Sequence, residues 1–381
     1  MNSELIEQRA ALVDSVARFA QREIAPQVHA WEEAGEFPRE LHRRAGELGL
    51  LGLGYPDELG GTPAPWMLRL ALAQTLSRHG ASGGVLASLF SHNIGLPPIV
   101  ALGSRALQQQ VIAPVLRGEA ISALAITEPG GGSDVARIRT HATRDGDHYL
   151  IDGEKVFITS GVRADWLTVA VRTGEAGARG LSMVVVPGNA PGVTRSKLQK
   201  MGWWCSDTAQ IHFERVRVPV AHRLGEEGAG FKAIMDNFNG ERLMLAAASL
   251  GFAQTCFDEA LDWARQRQTF GAPLIERQVI RHKLVDMRMR IDSTQAWVDA
   301  LGERADAGDA SPDWVAQVCM LKNHATQTMQ FCADQAVQML GGMGYMRGMK
   351  SERIYREVKV MMIGGGSEEI MKELAARQIG L

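Results

Sequence analysis

The sequence predicts an α+β fold that is mostly α, with an N-terminal helical domain, a middle antiparallel β domain and a C-terminal four-helix bundle. Three observations carry this prediction. Apolar residues recur at three- and four-residue spacing near both ends, short β-rich runs bounded by turn dipeptides fill the middle, and strands never alternate with helices as in a doubly wound sheet. The expected boundaries are 1–120, 121–228 and 229–381.

Each part has its own pattern. From Leu5 to about Arg117 the texture is helical: Leu12, Val16 and Phe19 share one face, and Pro65 stands where a first helical turn tolerates proline. The most apolar long window, residues 83–103, is broken by Ser91, His92, Asn93, Pro97 and Pro98 well short of a membrane span. A buried helix followed by a turn is expected there. In the middle, runs at 166–171, 181–186 and 211–218 are separated by Asp145-Gly146, Asp152-Gly153 and Pro187-Gly188, which predicts strands and tight turns. After Gly230, Leu250, Ala253, Phe257, Ala260 and Ala264 follow one helical face, and Ile280, Leu284, Met287 and Ile291 another. Several long helices of this kind make a bundle.

Composition narrows the function classes. Of 381 residues, 45% are hydrophobic and 22% charged, so large cores are affordable and disordered or fibrous classes are excluded. The net charge of -2 provides no global field for nucleic acid or an anionic membrane, so neither is expected as a partner. Cys205, Cys256, Cys319 and Cys332 are widely spaced and form no CxxC pair, which fits a reducing, cytoplasmic setting without a disulfide framework or a metal site. The charged, periodic amino terminus is unlike a signal peptide.

The chemistry concentrates in a few strings. Thr127-Glu128-Pro129-Gly130-Gly131-Gly132-Ser133-Asp134 follows Leu124, Ala125 and Ile126 where helices give way to strands, and its three glycines leave backbone N–H groups open to a phosphate or a flavin edge. A glycine-rich turn alone is more often only a turn, and the strand, Gly-x-Gly-x-x-Gly and helix of a dinucleotide fold are missing. Downstream come Lys155-Val156-Phe157-Ile158-Thr159, Met201-Gly202 with Cys205-Ser206-Asp207-Thr208, Arg267-Gln268-Thr269-Phe270-Gly271 with Gln278, Gln338-Met339-Leu340-Gly341-Gly342, and Ile363-Gly364-Gly365-Gly366-Ser367-Glu368-Glu369.

Taken together and in this order, these six segments resemble the signatures of the acyl-CoA dehydrogenase family over nearly the whole chain. The resemblance implies an FAD cofactor held by Leu124, Ile126, Thr127, Gly132, Ser133, Phe157 and Thr159, with Phe157 standing where many members have Trp. It further implies that Arg267, Thr269, Phe270, Gln278, Gln338, Gly341 and Gly342, with Ser367 and Glu369, complete the cofactor shell, in part across a subunit boundary. A homo-oligomer follows, a tetramer or a dimer. Ser133, Asn239, Arg242, Gly364 and Gly365 are expected at the substrate, and the unusual Trp203-Trp204 pair shapes the acyl site or simply packs. A last helix after Ser367 offers free N–H groups for an anion or a polar flavin substituent.

The implied reaction removes a proton from the α carbon of an acyl-CoA while hydride leaves the β carbon for flavin N5, giving a trans-2-enoyl-CoA. Reduced FAD then passes electrons to an electron-transfer flavoprotein. Such chemistry needs a buried carboxylate base of raised pKa. In many members this glutamate occupies the loop before the final helix, but here the matching position is Gly365. The subset that includes isovaleryl-CoA and long-chain enzymes supplies it from a central helix, where this chain has Asn239-Gly240-Glu241-Arg242. Glu241 is therefore the expected catalytic base, against the plainer reading of an exposed helix glutamate; Glu368 and Glu369 are the rivals. The small Gly364-Gly365 pair suggests room for a long or branched chain. Alternatives on the same fold are a flavin oxidase or monooxygenase and a non-catalytic nucleic-acid-binding relative.

Overall fold

The computed structural model describes residues 3–381, the side chains at 236 and 237 excepted. The N-terminal region is built from α1 (Ser3–Phe19), α2 (Val28–Ala34), α3 (Glu40–Glu47), α4 (Trp66–Gly80), α5 (Gly83–Leu89), α6 (His92–Gly95), α7 (Pro97–Leu102) and α8 (Arg105–Leu116). Val16 and Phe19 of α1 are buried with Leu72 and Leu76 of α4, the face that the spacing predicts. Pro65 lies one residue outside α4, and the first amides of that helix, Trp66 and Met67, donate to the Asp306 carboxylate from the far end of the chain. The negative charge satisfies two orphan donors at the positive end of the helix dipole.

The window 83–103 corrects the expectation of one helix and a turn: it forms three short helices. Ser82 caps α5 by accepting from Val85 N at 3.2 Å, the Ser91 hydroxyl donates to Ser122 O instead of leaving the chain free to continue, and Pro97 opens α7. The bond from Ser91 across to Ser122 and the proline geometry at 97 outcompete one continuous helix here. Among the described residues, no single helix is long and apolar enough to cross a membrane.

The middle region is an eight-stranded sheet. Its strands are β1 (Ser122–Ala125), β2 (His141–Asp145), β3 (His148–Thr159), β4 (Trp166–Arg172), β5 (Leu181–Pro187), β6 (Val193–Lys197), β7 (Thr208–Pro219) and β8 (Arg223–Leu224), in the order β6-β7-β3-β2-β4-β5-β8 with β1 also on β4. Most pairs are antiparallel, as expected, but β1 and β2 run parallel to β4. No hairpin delivers β1; it enters the sheet directly from α8, so the antiparallel rule for hairpins does not bind it. Strands β4 and β5 are buried on both faces. Val169, Val171, Val184 and Val186 face the core of the sheet itself, whereas Ala170, Met183 and Val185 pack with Ile99, Leu107 and Ile112 of the preceding helices. That double burial explains their unbroken apolar runs.

The C-terminal region consists of α9 (Gly230–Gln266), the small hairpin β9 (Gln268–Thr269) and β10 (Ala272–Pro273), α10 (Gln278–Asp306), α11 (Pro312–Leu340), α12 (Lys350–Ile363) and α13 (Glu368–Ile379). Leu250, Ala253, Ala260, Ala264, Ile280, Leu284, Met287 and Ile291 all enter one core with α11 and α12. The helical faces legible in the sequence are the faces that pack. Helix α11 lies against α9, α10, α12 and α13, and therefore reaches both the central helix and the glycine turn at 364–366.

Candidate active site

Glu241 projects from α9 beside that turn. Gly365 adopts φ 67°, a conformation that disfavours any residue with a Cβ, and a β carbon built there would lie 2.7 Å from Leu245 Cδ1 and 3.7 Å from Glu241 Oε1. A carboxylate carried by position 365 and one carried by position 241 would thus reach the same small volume. Although Glu241 is only half-buried as a residue, the protein packed around its carboxyl desolvates it and pushes its pKa up to about 7, against the lowering effect of Arg242 and Lys322.

Arg242 is buried, and burial lowers its pKa; its Nε donates to Gly365 O at 3.1 Å and its Nη1 to Asn239 Oδ1 at 3.0 Å. The structure therefore brings Asn239, Glu241, Arg242 and Gly365 together, with Arg242 as the internal tie. Gly364 closes α12 by donating to Val360 O at 2.7 Å. Ser367 caps α13 by accepting from Ile370 N, so the amides expected to be free for an anion are partly satisfied by the chain itself. Glu368 accepts from Gln327 Nε2 at 2.9 Å, and Glu369 is exposed, its pKa held low by its own amide and by Ser367. Neither rival carboxylate has the desolvated setting of Glu241.

The cofactor-binding candidates of the middle region gather at one end of the sheet. Leu124 lies on β1 opposite Thr168, and Ile126 and Thr127 continue from it. Lys155, fully buried on β3, donates to Ile126 O and to Glu128 Oε1, both at 2.9 Å, while Glu128 also accepts from the amides of Arg139 and Thr140. Burial lowers the Lys155 pKa to about 8 and by itself would raise that of Glu128, but Lys155 and the two amides outweigh it and hold Glu128 low. This buried pair fixes the start of the glycine turn, whose Gly132 and Ser133 are exposed, and added β carbons at Gly130 and Gly131 would meet almost nothing.

Phe157 is the clearest feature of that surface. A register shift between Lys155 and Ile158 bulges β3, Phe157 takes φ 61°, and its ring stands 68% exposed where a core aromatic would be covered. An aromatic held outward by a bulge beside an open glycine turn offers a planar ring a stacking partner. Thr159 follows, paired with Thr208. The loop before Thr208 binds this end of the sheet to α12, since a β carbon at Gly202 would lie 3.0 Å from Arg356 O. Trp204 is sandwiched between the guanidiniums of Arg347 and Arg356, at 4.2 and 3.9 Å, and Trp203 packs on the helical core. Both tryptophans serve packing.

The remaining cofactor candidates stand apart. Arg267 and Gln278 are exposed at the ends of α9 and α10, Phe270 is 99% exposed, and Gln338, Gly341 and Gly342 are exposed at the end of α11 beside Tyr345 at 83%. Among the described residues no hydrogen bond links either group to the middle region. Arg277, which the sequence reading passed over, organises the hairpin by donating to Thr269 O and Phe270 O, and leaves its Nε buried and unpartnered next to the equally unpartnered Thr269 hydroxyl. A polar ligand at this hairpin would satisfy both groups.

Residues 6–119, 123–216 and 228–380 match, in order, the acyl-CoA dehydrogenase N-terminal, middle and C-terminal domain families. The rat mitochondrial long-chain specific acyl-CoA dehydrogenase is 37% identical over 96% of this chain and 85% of its own length, and the human short-chain specific enzyme 34% over 98% and 90%. A solved acyl-CoA dehydrogenase from Geobacillus kaustophilus superposes with a TM-score of 0.93 at 34% identity, covering 100% of this chain and 99% of that one. The likeness spans all three regions, which defines the class as an FAD-dependent oxidoreductase acting on acyl-CoA. The chain belongs to the acyl-CoA dehydrogenase family. The exposed Phe157, the open glycine turn and the unpartnered donors of the 267–278 hairpin fit FAD. Two buried lysines are the site residues that sequence reasoning undervalued: Lys155 was only part of a motif, and Lys322 was not singled out. A lysine that follows the apolar run 318–321 and falls in helical register with the apolar Val318 and Ala325 is the signal for the second.

Proposed function

We propose that this protein dehydrogenates a long-chain or branched acyl-CoA to the trans-2-enoyl-CoA, with Glu241 as the base that takes the α proton. The observation that carries this reading is the 3.7 Å between Glu241 Oε1 and the point where a side chain at Gly365 would begin. With glycine at 365, that volume holds one carboxylate, supplied by α9. A carboxyl whose pKa is near 7 takes a proton from a thioester-activated carbon more readily than one at its ordinary value and is still substantially ionised at neutral pH. Arg242 orients it by holding both Asn239 and the turn. Ser133, Asn239 and Gly364 line the approach of the substrate.

Leu124, Ile126, Thr127, Gly132, Ser133, Phe157 and Thr159 would hold FAD on the middle region, and Arg267, Thr269, Phe270, Gln278, Gln338, Gly341 and Gly342 of a second subunit, with Ser367 and Glu369, would complete its shell. FAD, when bound, accepts the hydride from the β carbon. The separation of the two groups within one chain and the exposed Phe270 and Tyr345 support a homo-oligomer, a dimer or tetramer. An electron-transfer flavoprotein takes the electrons onward, in the cytoplasm. The long-chain relative and the small Gly364-Gly365 pair favour a long or branched acyl group. Anaerobic titration of the yellow protein with straight and branched acyl-CoAs, read by loss of flavin absorbance, tests the reading: bleaching by long or branched thioesters supports it, and bleaching only by short straight ones refutes the substrate assignment.

A further inference from the structure

We propose that Lys322 is a positioning residue for the proton abstraction: from α11 it ties down both ends of the glycine turn against which the carboxyl of Glu241 lies. The inference rests on Glu241 being the base.

Lys322 is fully buried, and its Nζ donates to Met362 O at 2.9 Å and to Gly366 O at 2.8 Å. These two carbonyls bracket the turn whose middle carbonyl, Gly365 O, is held by Arg242 from α9. The segment facing Glu241 is therefore gripped from two helices. Farther along α11, Asn323 Nδ2 donates to Glu368 O at 3.0 Å and Gln327 Nε2 to Glu368 Oε1 at 2.9 Å. Neutral amides thus perform the same tethering a few residues away. Burying an ammonium between two neutral carbonyls is far more costly than burying an amide there, so the tether alone does not account for a lysine.

What the cation adds is its field. The groups facing Glu241 and Lys322 are Arg242 on α9, Cys319 on α11, and Glu368 and Glu369 at the start of α13. Burial pushes Glu241 up and Lys322 down, to about 7 and about 8, and each opposes the shift of the other. Lys322 thereby favours the ionised form of the base while holding the turn against which that base rests. Its two hydrogen bonds go to neutral carbonyls, and its charge acts on two carboxylates, Glu368 the more strongly and then Glu241.

The test uses flavin-loaded Lys322→Met, Lys322→Gln and Lys322→Arg proteins with two readouts. The first is the titration of the Glu241 carboxyl by isotope-edited infrared difference spectroscopy, its band identified by its loss in Glu241→Gln. The second is the pH profile of anaerobic flavin bleaching by substrate. In Met and Gln, the carboxyl midpoint and the acid limb of the profile are expected to rise together by about one pH unit or more, the scale of losing a nearby opposite charge. Arg returns both toward wild type. Gln, which keeps a donor for the turn, leaves KM closer to wild type than Met does. A midpoint in Gln within a few tenths of a unit of wild type overturns the proposal, and Gln and Arg decide it should Met fail to fold. Rapid bleaching retained by Glu241→Gln would instead defeat the base assignment, an outcome read separately from the Lys322 shifts.

Discussion

Two lysines lie buried beneath two glycine turns, and the difference between them separates scaffold from chemistry. Lys155, under the turn of the middle region, donates to a backbone carbonyl and to the Glu128 carboxylate, so its charge is neutralised on the spot. Lys322, under the turn of the C-terminal region, donates to two carbonyls and to no carboxylate, so its charge acts at longer range on Glu368 and Glu241. Burial lowers both to about 8. The same residue in the same kind of place therefore clamps a glycine turn in one case and, on our proposal, positions and tunes a base in the other. The neighbour that neutralises the charge decides which.

Four experiments would break or sharpen that contrast. The largest effect is expected from Glu241→Gln, which should slow substrate-driven flavin bleaching by about a thousandfold, the scale of losing a general base, while the protein stays yellow. Stopped-flow absorbance checks this, and a near-normal rate would remove the chemical half of the comparison. Lys155→Met should cost about 3–5 kcal/mol in urea unfolding, because it leaves Glu128 buried without its cation. It should also loosen FAD while leaving the acid limb of the bleaching profile in place; a shifted limb would erase the distinction between the two lysines.

Gly365→Ala is expected to destabilise by about 1–2 kcal/mol, since the residue takes φ 67° and its new methyl meets Leu245. Shortening Leu245 to Ala in the same protein should recover the contact part and not the backbone part, read as paired unfolding curves. The smallest effect is in the wild type itself. Bleaching by saturating substrate should rise about tenfold per pH unit at low pH and level off above about 7, because Glu241 acts in its ionised form and is protonated below that value. A profile flat from about pH 5 to 8, as a carboxylate titrating at its ordinary value of about 4 would give, would contradict the raised pKa.

Much of this architecture is legible in the residues. The faces of α9 and α10 were set by Leu250, Ala253, Ala260, Ile280, Leu284 and Met287, and these pack into one core. The order of the six segments carried the family, and the pairing of a missing loop glutamate with a helix glutamate is what proposes Glu241 as the base. Three features were hidden. Phe157 is singled out only by its motif, and periodicity does not show that a bulge in β3 turns its ring outward. The window 83–103 reads as a helix and a turn because the competing bond of Ser91 goes to Ser122 O, a partner fixed by the fold. Lys322 reads as an isolated charge, since the carbonyls it binds lie about forty residues away on another helix and its turn.

Periodicity, turn chemistry and the order of motifs act through near neighbours along the chain, so the sequence by itself determined the helical ends, the strand-rich middle, the glycine turns and the identity of the carboxylates available. Which carboxylate loses its water, which lysine is bonded to a carboxylate and which only to carbonyls, and which aromatic faces outward depend on atoms distant in sequence. Desolvation and electrostatic fields sum over everything nearby in space, and only the tertiary structure brings α9, α11 and the 364–366 turn around one carboxyl.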